Sequence, residues 1–454
     1  LNVIAAERPL RPAALVIGWL TAMLVAAAFT VASYPGFMSF DSIEALRQAR
    51  FKVEGSQYPP FGSYVWRVFD WIWPGPSLMQ LFQNGLLLSA LALVLNLLRW
   101  PVLAQMGLIV GICLLPPITG TMLVVWKDVA VAAFYLAGFA TLFYVRQCQP
   151  RLRSMWIGLG IVLIFFGMAY RFNAASGAAP LLVYACWLYS RRGEVGGRWV
   201  RAVVAGSVLL LSLFAMVWVV NSFRFPTFER LERNTNIDSI RRHDLIGISR
   251  YSGQSMMPGV DGRPIDVEYL RKIYDARHLN ITSMNDVEGR LPKQESHEIR
   301  AAWMSAVQAH PLAYLRHRAE IMREYIALHG HDVFYVTHPS VDQNQLGVTH
   351  EPTQYTRKAV GHVWELRNSL LNRAWVYYLT AIAVVAWLAS RARALRPEAL
   401  TVLLSGLLYL APMYFITPAG DVRYNFWSLW GALLALVFAV TAPFVARKRV
   451  ARGD

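Results

Sequence analysis

"SFDSIEALRQARFKVEGSQYPPFGSYVW", residues 39–66, is polar and aromatic, and it lies between two apolar runs, 12–32 and 78–97. Each run has the roughly 20 apolar residues needed to cross a bilayer. The stretch therefore reads as a loop at a membrane surface. It carries carboxylates, arginines, a Pro-Pro pair and several rings, which is more chemistry than a connection requires.

The composition agrees with a membrane protein. Of 454 residues, 56% are hydrophobic and 16% charged, with a mean hydropathy of +0.35. Soluble domains of this length are usually more polar. Cys113, Cys148 and Cys186 lie in apolar runs or a short basic loop, so no disulfide is expected. The first apolar run lacks a convincing cleavage site and reads as a retained anchor.

Further apolar runs at 102–119, 122–145, 154–170, 174–190, 201–221, 374–390, 399–417 and 425–445 bring the expected spans to about ten. Lys and Arg set the orientation. They occupy every second loop: Arg8 and Arg11; Arg99; Arg146, Arg151 and Arg153; Arg191, Arg192, Arg198 and Arg201; Arg391, Arg393 and Arg396; and the tail Arg447, Lys448, Arg449 and Arg452. Both termini are thus expected to be cytoplasmic. The opposite side would carry 33–77, turns near 116–121, 171–173 and 418–424, and the long segment 222–372. That segment has 19 Lys plus Arg against 18 Asp plus Glu, so the formal charge of +16 resides mostly in the cytoplasmic loops. It reads as topology and lipid contact, and nucleic acid is not an expected partner.

The predicted architecture is a polytopic α-helical membrane protein with a mainly helical periplasmic domain. It divides into 1–221, a transmembrane core with its first periplasmic loop 33–77; 222–372, the periplasmic domain; and 373–454, the C-terminal spans and basic tail. Within the domain, "SHEIRAAWMSAVQAHPLAYLRHRAEIMREYIALHG" (296–330) predicts two helices joined at Pro311. All ten histidines fall between His243 and His362. Chemistry near the membrane core would then use carboxylates, Lys, Arg and Tyr, unless this domain folds back over it.

Four constellations bear chemistry, each with an ordinary reading beside it. In "SFDSIEALRQARF", Asp41 and Glu44 can form a capping box. Alternatively Asp41 is a general base, on an interfacial helix that offers Arg47 and Arg50. In "VVWKDVA", Lys127 and Asp128 can neutralise each other, or Lys127 can meet a phosphate while Asp128 orients substrate or supports Asp41. Arg171 and Asn173 can be turn punctuation, and Asp421, Arg423 and Tyr424 an interfacial anchor. All of these reach one face of the membrane, where the positive-inside tendency disfavours cations. Such a pocket would suit an anionic, membrane-embedded ligand. His329, His331, Asp332 and His338 are metal-ligand types, but their spacing matches no established zinc pattern, so they read as surface or substrate-contacting residues.

These stretches resemble the bacterial GT-C glycosyltransferases, which use lipid-phosphate sugars. The resemblance is carried by "YPGFMSFDSIEALRQARFKVEGSQYPP", "VVWKD", "YRFNAASGAAPLL" and "VRYNF", and covers 1–221 and 374–445. It implies an essential aspartate in the first outer loop, matched by Asp41. Where many relatives have His-Pro-Pro, this chain has Tyr58-Pro59-Pro60, which removes a polar contact on the acceptor side.

The expected function is an inverting transfer of a sugar from a polyprenyl-phosphate donor to a periplasmic cell-envelope acceptor, a glycan or lipid. Asp41 and Asp128 are the catalytic candidates. Lys127, Arg171, Asn173, Tyr58, Arg47, Arg423 and Tyr424 are the substrate-binding candidates. There is no Gly-rich phosphate loop and no DxD triplet. The lipid phosphate itself leaves, so no cofactor is required, and a divalent metal is possible but not implied. The expected location is the bacterial inner membrane with the active site facing the periplasm. Two other classes remain open: a lipid-linked glycan ligase or polymerase, and a lipid or sugar flippase or transporter. Against the latter, the ionisable residues sit at one end of the spans and no repeat is visible.

Overall fold

The computed structural model describes residues 11–51, 53–54, 59–171, 173–190, 195–222, 229–230, 236–259, 263–292, 297–391 and 395–450. The helices run in the order α1 Pro12–Ala32, α2 Phe40–Phe51, α3 Pro60–Ile72, α4 Ser77–Leu97, α5 Val102–Cys113, α6 Pro116–Met122, α7 Lys127–Tyr144, α8 Arg153–Tyr170, α9 Ala175–Tyr189 and α10 Val195–Ser222. Then come α11 Asn236–Ser252, α12 Val267–Ile273, α13 Leu279–Asn285, α14 His297–Ala309, α15 Pro311–Tyr325 and α16 Gln354–Glu365. The chain ends with α17 Ala374–Arg391, α18 Arg396–Leu410, α19 Met413–Ile416 and α20 Phe426–Val450. Extended structure among the described residues is slight: one parallel pair, Val53–Glu54 with Glu229–Arg230, and isolated bridges.

Seven helices among the described residues are long and apolar enough to cross a membrane, which makes this a helical, multi-pass chain. Each of the ten apolar runs has a helical counterpart, but three fall short of a simple span. Ala175–Tyr189 and Ala374–Trp387 are shorter apolar helices, and Val102–Cys113 is bent by 77° into Pro116–Met122. The expected turn at 116–121 is thus a helix. Pro116 starts it, where a missing N–H is harmless, and its residues are all buried.

Helix α7 forms the centre of the bundle, with almost every residue buried. It packs closely on α8 because small residues face each other there. A Cβ on Gly138 would stand 2.8 Å from the Ile164 side chain, and one on Gly167 2.4 Å from the Tyr135 ring.

The segment 236–325 has its own apolar core around Leu245, Ile248, Leu270, Ile273 and Ile299. Pro311 opens α15, as its place in the sequence suggested. The rest of the long segment straps back over the helix ends. Thr337 Oγ1 donates to the Gly120 carbonyl (2.8 Å), Thr356 Oγ1 to that of Ala32 (2.7 Å), and His362 Nε2 lies 2.8 Å from that of Leu114. The domain does fold back over the core, and it brings histidines with it.

Candidate functional site

The site is built around the start of α2. Ser39 precedes the helix, and its carbonyl accepts from Ser42 N and Ile43 N at 2.9 and 3.0 Å. Two serines pin this turn to the extended residues before α7. Ser42 Oγ donates to the Val125 carbonyl (2.6 Å), and Trp126 Nε1 donates to Ser39 Oγ (2.8 Å). Phe37 and Met38 are sandwiched in parallel bridges with Val124 and Val341. Asp41, in the first turn of α2, is thereby fixed beside Lys127, in the first turn of α7. The capping-box reading needs correction: Ser39 holds the position before the helix, and Glu44 is engaged by Arg47 (2.7 and 2.8 Å) and Gln48 (3.3 Å).

Asp41 and Lys127 line one partly open cleft of about 480 Å³, counting its open mouth. Trp66, Trp126, Tyr170, Met79 and Gln83 form much of the rest of its wall. Gln83 is buried, and neither polar atom of its amide has a hydrogen-bond partner among the described residues; the same holds for the Tyr170 hydroxyl. Buried polar groups are nearly always satisfied, so these suit a ligand with hydroxyls or another polar group. The sequence reading missed both, because an isolated Gln or Tyr in an apolar run carries no pattern.

Behind this wall lie the other charges. Arg423 Nη1 is 2.8 Å from Asp41 Oδ2, while its Nε donates to Asp421 (3.2 Å) and its Nη2 to the Tyr424 hydroxyl (3.0 Å). Its guanidinium lies over the rings of Trp126 (4.9 Å) and Tyr424 (4.7 Å). Arg171 pairs with Asp128, donates from Nε to Asn173 (3.2 Å), and faces the other side of the site over Tyr424 (4.9 Å). Asp128 is thus held by Arg171, correcting its expected pairing with Lys127. Its Oδ2 has no hydrogen-bond partner among the described residues.

Asp41, Lys127, Asp128, Arg171, Asn173, Arg423 and Tyr424 are therefore brought together. Arg47 is not among the cleft residues; Glu44 holds it, as Asp70 holds Arg50 at 2.9 Å. Tyr58 lies outside the described residues. The turn carrying Arg423 is fixed from the end of α15: Tyr325 donates to the Tyr424 carbonyl (2.8 Å), and Asn425 Nδ2 donates to the Tyr325 carbonyl (2.6 Å).

Because the outer segment folds back, the condition under which the sequence admitted histidines, two of them come near the Arg423 charge. His338 stands 2.8 Å from the Tyr335 hydroxyl and 3.1 Å from Asp342, and the Tyr335 ring lies 6.1 Å from that of Trp126. Burial and the Arg423 charge hold His338 below the usual imidazole range, with Asp342 opposing them. His278 is also pushed down, by burial first, with Arg423 adding and Asp421 and Asp41 opposing.

No family model matches the chain, and no curated protein or solved structure is significantly similar to it.

Proposed function

We propose that this chain is a membrane glycosyltransferase of the GT-C kind, which moves a sugar from a polyprenyl-phosphate donor to a hydroxyl on a periplasmic glycan or lipid. The observation that carries the reading is the shared cleft of Asp41 and Lys127, backed by Arg423 2.8 Å from Asp41, at the ends of apolar helices. One wall comes from α3, whose exposed Val68, Trp71 and Ile72 suit a lipid interface. A lipid-borne substrate can therefore reach the charges without crossing water.

The chemistry balances without a cofactor. Asp41 takes the proton from the acceptor hydroxyl as its oxygen bonds to the sugar's anomeric carbon. The bond from that carbon to the phosphate oxygen breaks, and polyprenyl phosphate leaves with the electron pair. Lys127 meets the phosphate, where a charge-assisted contact is strongest. Gln83 and Tyr170 meet hydroxyls of the sugar. In this reading the spans number ten, the termini are cytoplasmic, and the chain lies in a bacterial inner membrane.

The test is Asp41→Asn in the purified protein with radiolabelled polyprenyl-phosphate sugars. Loss of a general base costs roughly 100-fold or more in rate. The variant should bind polyprenyl phosphate with unchanged affinity and transfer almost no sugar. Near-wild-type turnover in the variant would sink the assignment of Asp41. Envelope glycans of a deletion strain that lose whole polymers, and not single sugars, would favour a ligase or polymerase.

A further inference from the structure

A second cluster lies in the extramembrane domain, away from the cleft. Glu324, in the last turn of α15, faces His329 and His331. The His331 Nε2 lies 3.0 Å from Glu324 Oε1, and the His329 Nε2 lies 3.3 Å from Glu324 Oε2. The three ligand atoms fall within 4.8 Å of one another. The sequence hides this group because its carboxylate sits on a helix, several residues before a histidine pair that matches no familiar pattern.

The hydrogen bonds show what each ring nitrogen faces. His329 Nδ1 lies 3.1 Å from the His331 carbonyl, and His331 Nδ1 lies 3.2 Å from the Asp332 carbonyl. A carbonyl only accepts, so each Nδ1 can carry the hydrogen and leave its Nε2 to a ligand; in the absence of an ion His331 Nε2 can instead donate to Glu324 Oε1 at 3.0 Å. Arg373 Nη1 is 3.4 Å from His329 Nδ1, but its closer contact is the His329 carbonyl at 2.9 Å. His329 Nε2 and Glu324 Oε2 lie 3.3 Å apart, yet both are buried and neither has a hydrogen-bond partner among the described residues. An ion between them would satisfy both.

We infer that Glu324, His329 and His331 bind a divalent transition-metal ion, Zn²⁺ by ligand type, with a fourth position open to solvent. Two imidazoles and one carboxylate are a common zinc donor set, and histidine ligands usually donate their other N–H to a carbonyl. With metal–ligand bonds of about 2.0–2.1 Å, tetrahedral ligand atoms stand about 3.3 Å apart, close to the two contacts seen. His331 is half exposed, which supplies an access path, while His329 is 5% exposed. The rings are stacked at 3.7 Å and 15°, and must splay for one ion to lie in both ring planes. Of the nearby cations, Arg277 is bound by Asp275 (2.6 Å) and Arg373 holds the loop through its carbonyls.

The ion would be structural. Gly420 packs so closely on α15 that a Cβ there would stand 2.7 Å from the Glu324 Cβ, and Tyr325 bonds the turn that carries Arg423. The site thus fastens the helix end that buttresses the cleft. This inference does not depend on the transferase reading.

Full-length protein, purified in detergent without a histidine tag and stripped by chelator, is titrated with Zn²⁺ and separately with Co²⁺. One equivalent should bind per chain, Co²⁺ should give tetrahedral absorption bands, and Zn²⁺ should raise the melting temperature. His329→Ala and the near-isosteric Glu324→Gln should each weaken binding about 100-fold and abolish the melting shift. His362→Ala should bind as wild type does. Stoichiometric binding that survives both Glu324→Gln and His329→Ala, or none in the wild type, overturns the site.

Discussion

Arg423 and Asp41 lie 2.8 Å apart as an ion pair, but among the described residues Arg423 Nη1 makes no hydrogen bond with good geometry. The guanidinium is oriented by other partners: Asp421, the Tyr424 hydroxyl, and the rings of Trp126 and Tyr424. Arg423 balances the charge of Asp41 without tying up its carboxylate in a bidentate grip.

Arg423→Lys should therefore fail to substitute. Lysine keeps the charge but loses the planar group that stacks between two rings and bonds Asp421 at the same time. Charged hydrogen bonds are worth roughly 1.5–3 kcal/mol, so sugar transfer should fall about 10- to 150-fold in the lysine variant. Arg316→Lys, on the exposed side of α15, serves as the control. Wild-type turnover in Arg423→Lys would show that charge alone suffices.

Much of this site was legible in the sequence, for a physical reason. Ionisable residues are costly in apolar runs, so Lys127, Asp128, Arg171 and Arg423 stand out wherever they occur. Their common face followed from the phase of the basic loops. Their partners did not follow. The pairing of Asp128 with Arg171 and of Arg423 with Asp41 depends on how α7, α8 and α20 pack, and no local spacing encodes that. His278 and His338 stayed hidden for a related cause: the strap that returns them to the core is irregular, without the periodicity that marks a helix.

The pair Asp128–Arg171 is buried at the end of the bundle. Removing one partner strands the other charge, whereas replacing both with apolar groups of similar size removes the desolvation cost as well. Asp128→Leu alone should cost about 3–5 kcal/mol of stability, read as a large drop in melting temperature in detergent. The double variant Asp128→Leu with Arg171→Met should regain most of it. If the double variant is as unstable as the single one, the two residues are not coupled.

Gly120 is one of the points where the strap touches the core. A Cβ there would stand 2.2 Å from the Val336 carbonyl oxygen, a backbone atom that cannot swing aside. The strap carries Tyr335 and His338 to the rim of the cleft, so Gly120→Ala should push both away. Overpacking costs typically about 1–3 kcal/mol. The expected result is a folded protein with reduced transfer, and faster hydrogen exchange confined to 333–342. Unchanged exchange there would show that the strap is positioned by its other contacts.

Acid should loosen the segment 236–325, with its own apolar core, before the apolar helix bundle. His243 and His317 are buried there with Asp244, Arg318 and Tyr274: His317 lies 3.1 Å from Asp244 and 2.9 Å from the Tyr274 hydroxyl, and His243 Nε2 lies 3.0 Å from the Asp275 carbonyl. Burial, then the His317 charge, pushes His243 down to about 3, and burial also lowers His317 against the pull of Asp244. The unfolded chain binds protons at these histidines near pH 6.5, where the folded domain still refuses them. Above that pH the groups have no effect. Below it, stability falls by up to about 1.4 kcal/mol per pH unit for each histidine, until the folded groups titrate. Burial would raise Asp244, but Arg318, His317 and Trp303 outweigh it and hold this carboxylate below its usual range, so its contribution is lost only at still lower pH. Hydrogen exchange in 236–259 and 297–325, corrected for its intrinsic pH dependence, should therefore accelerate between pH 6.5 and 5. His243→Gln, which keeps an N–H for the Asp275 carbonyl, should roughly halve that acceleration on a logarithmic scale if the two histidines contribute equally. An unchanged pH dependence in this variant would mean that His243 takes up its proton without unfolding the domain.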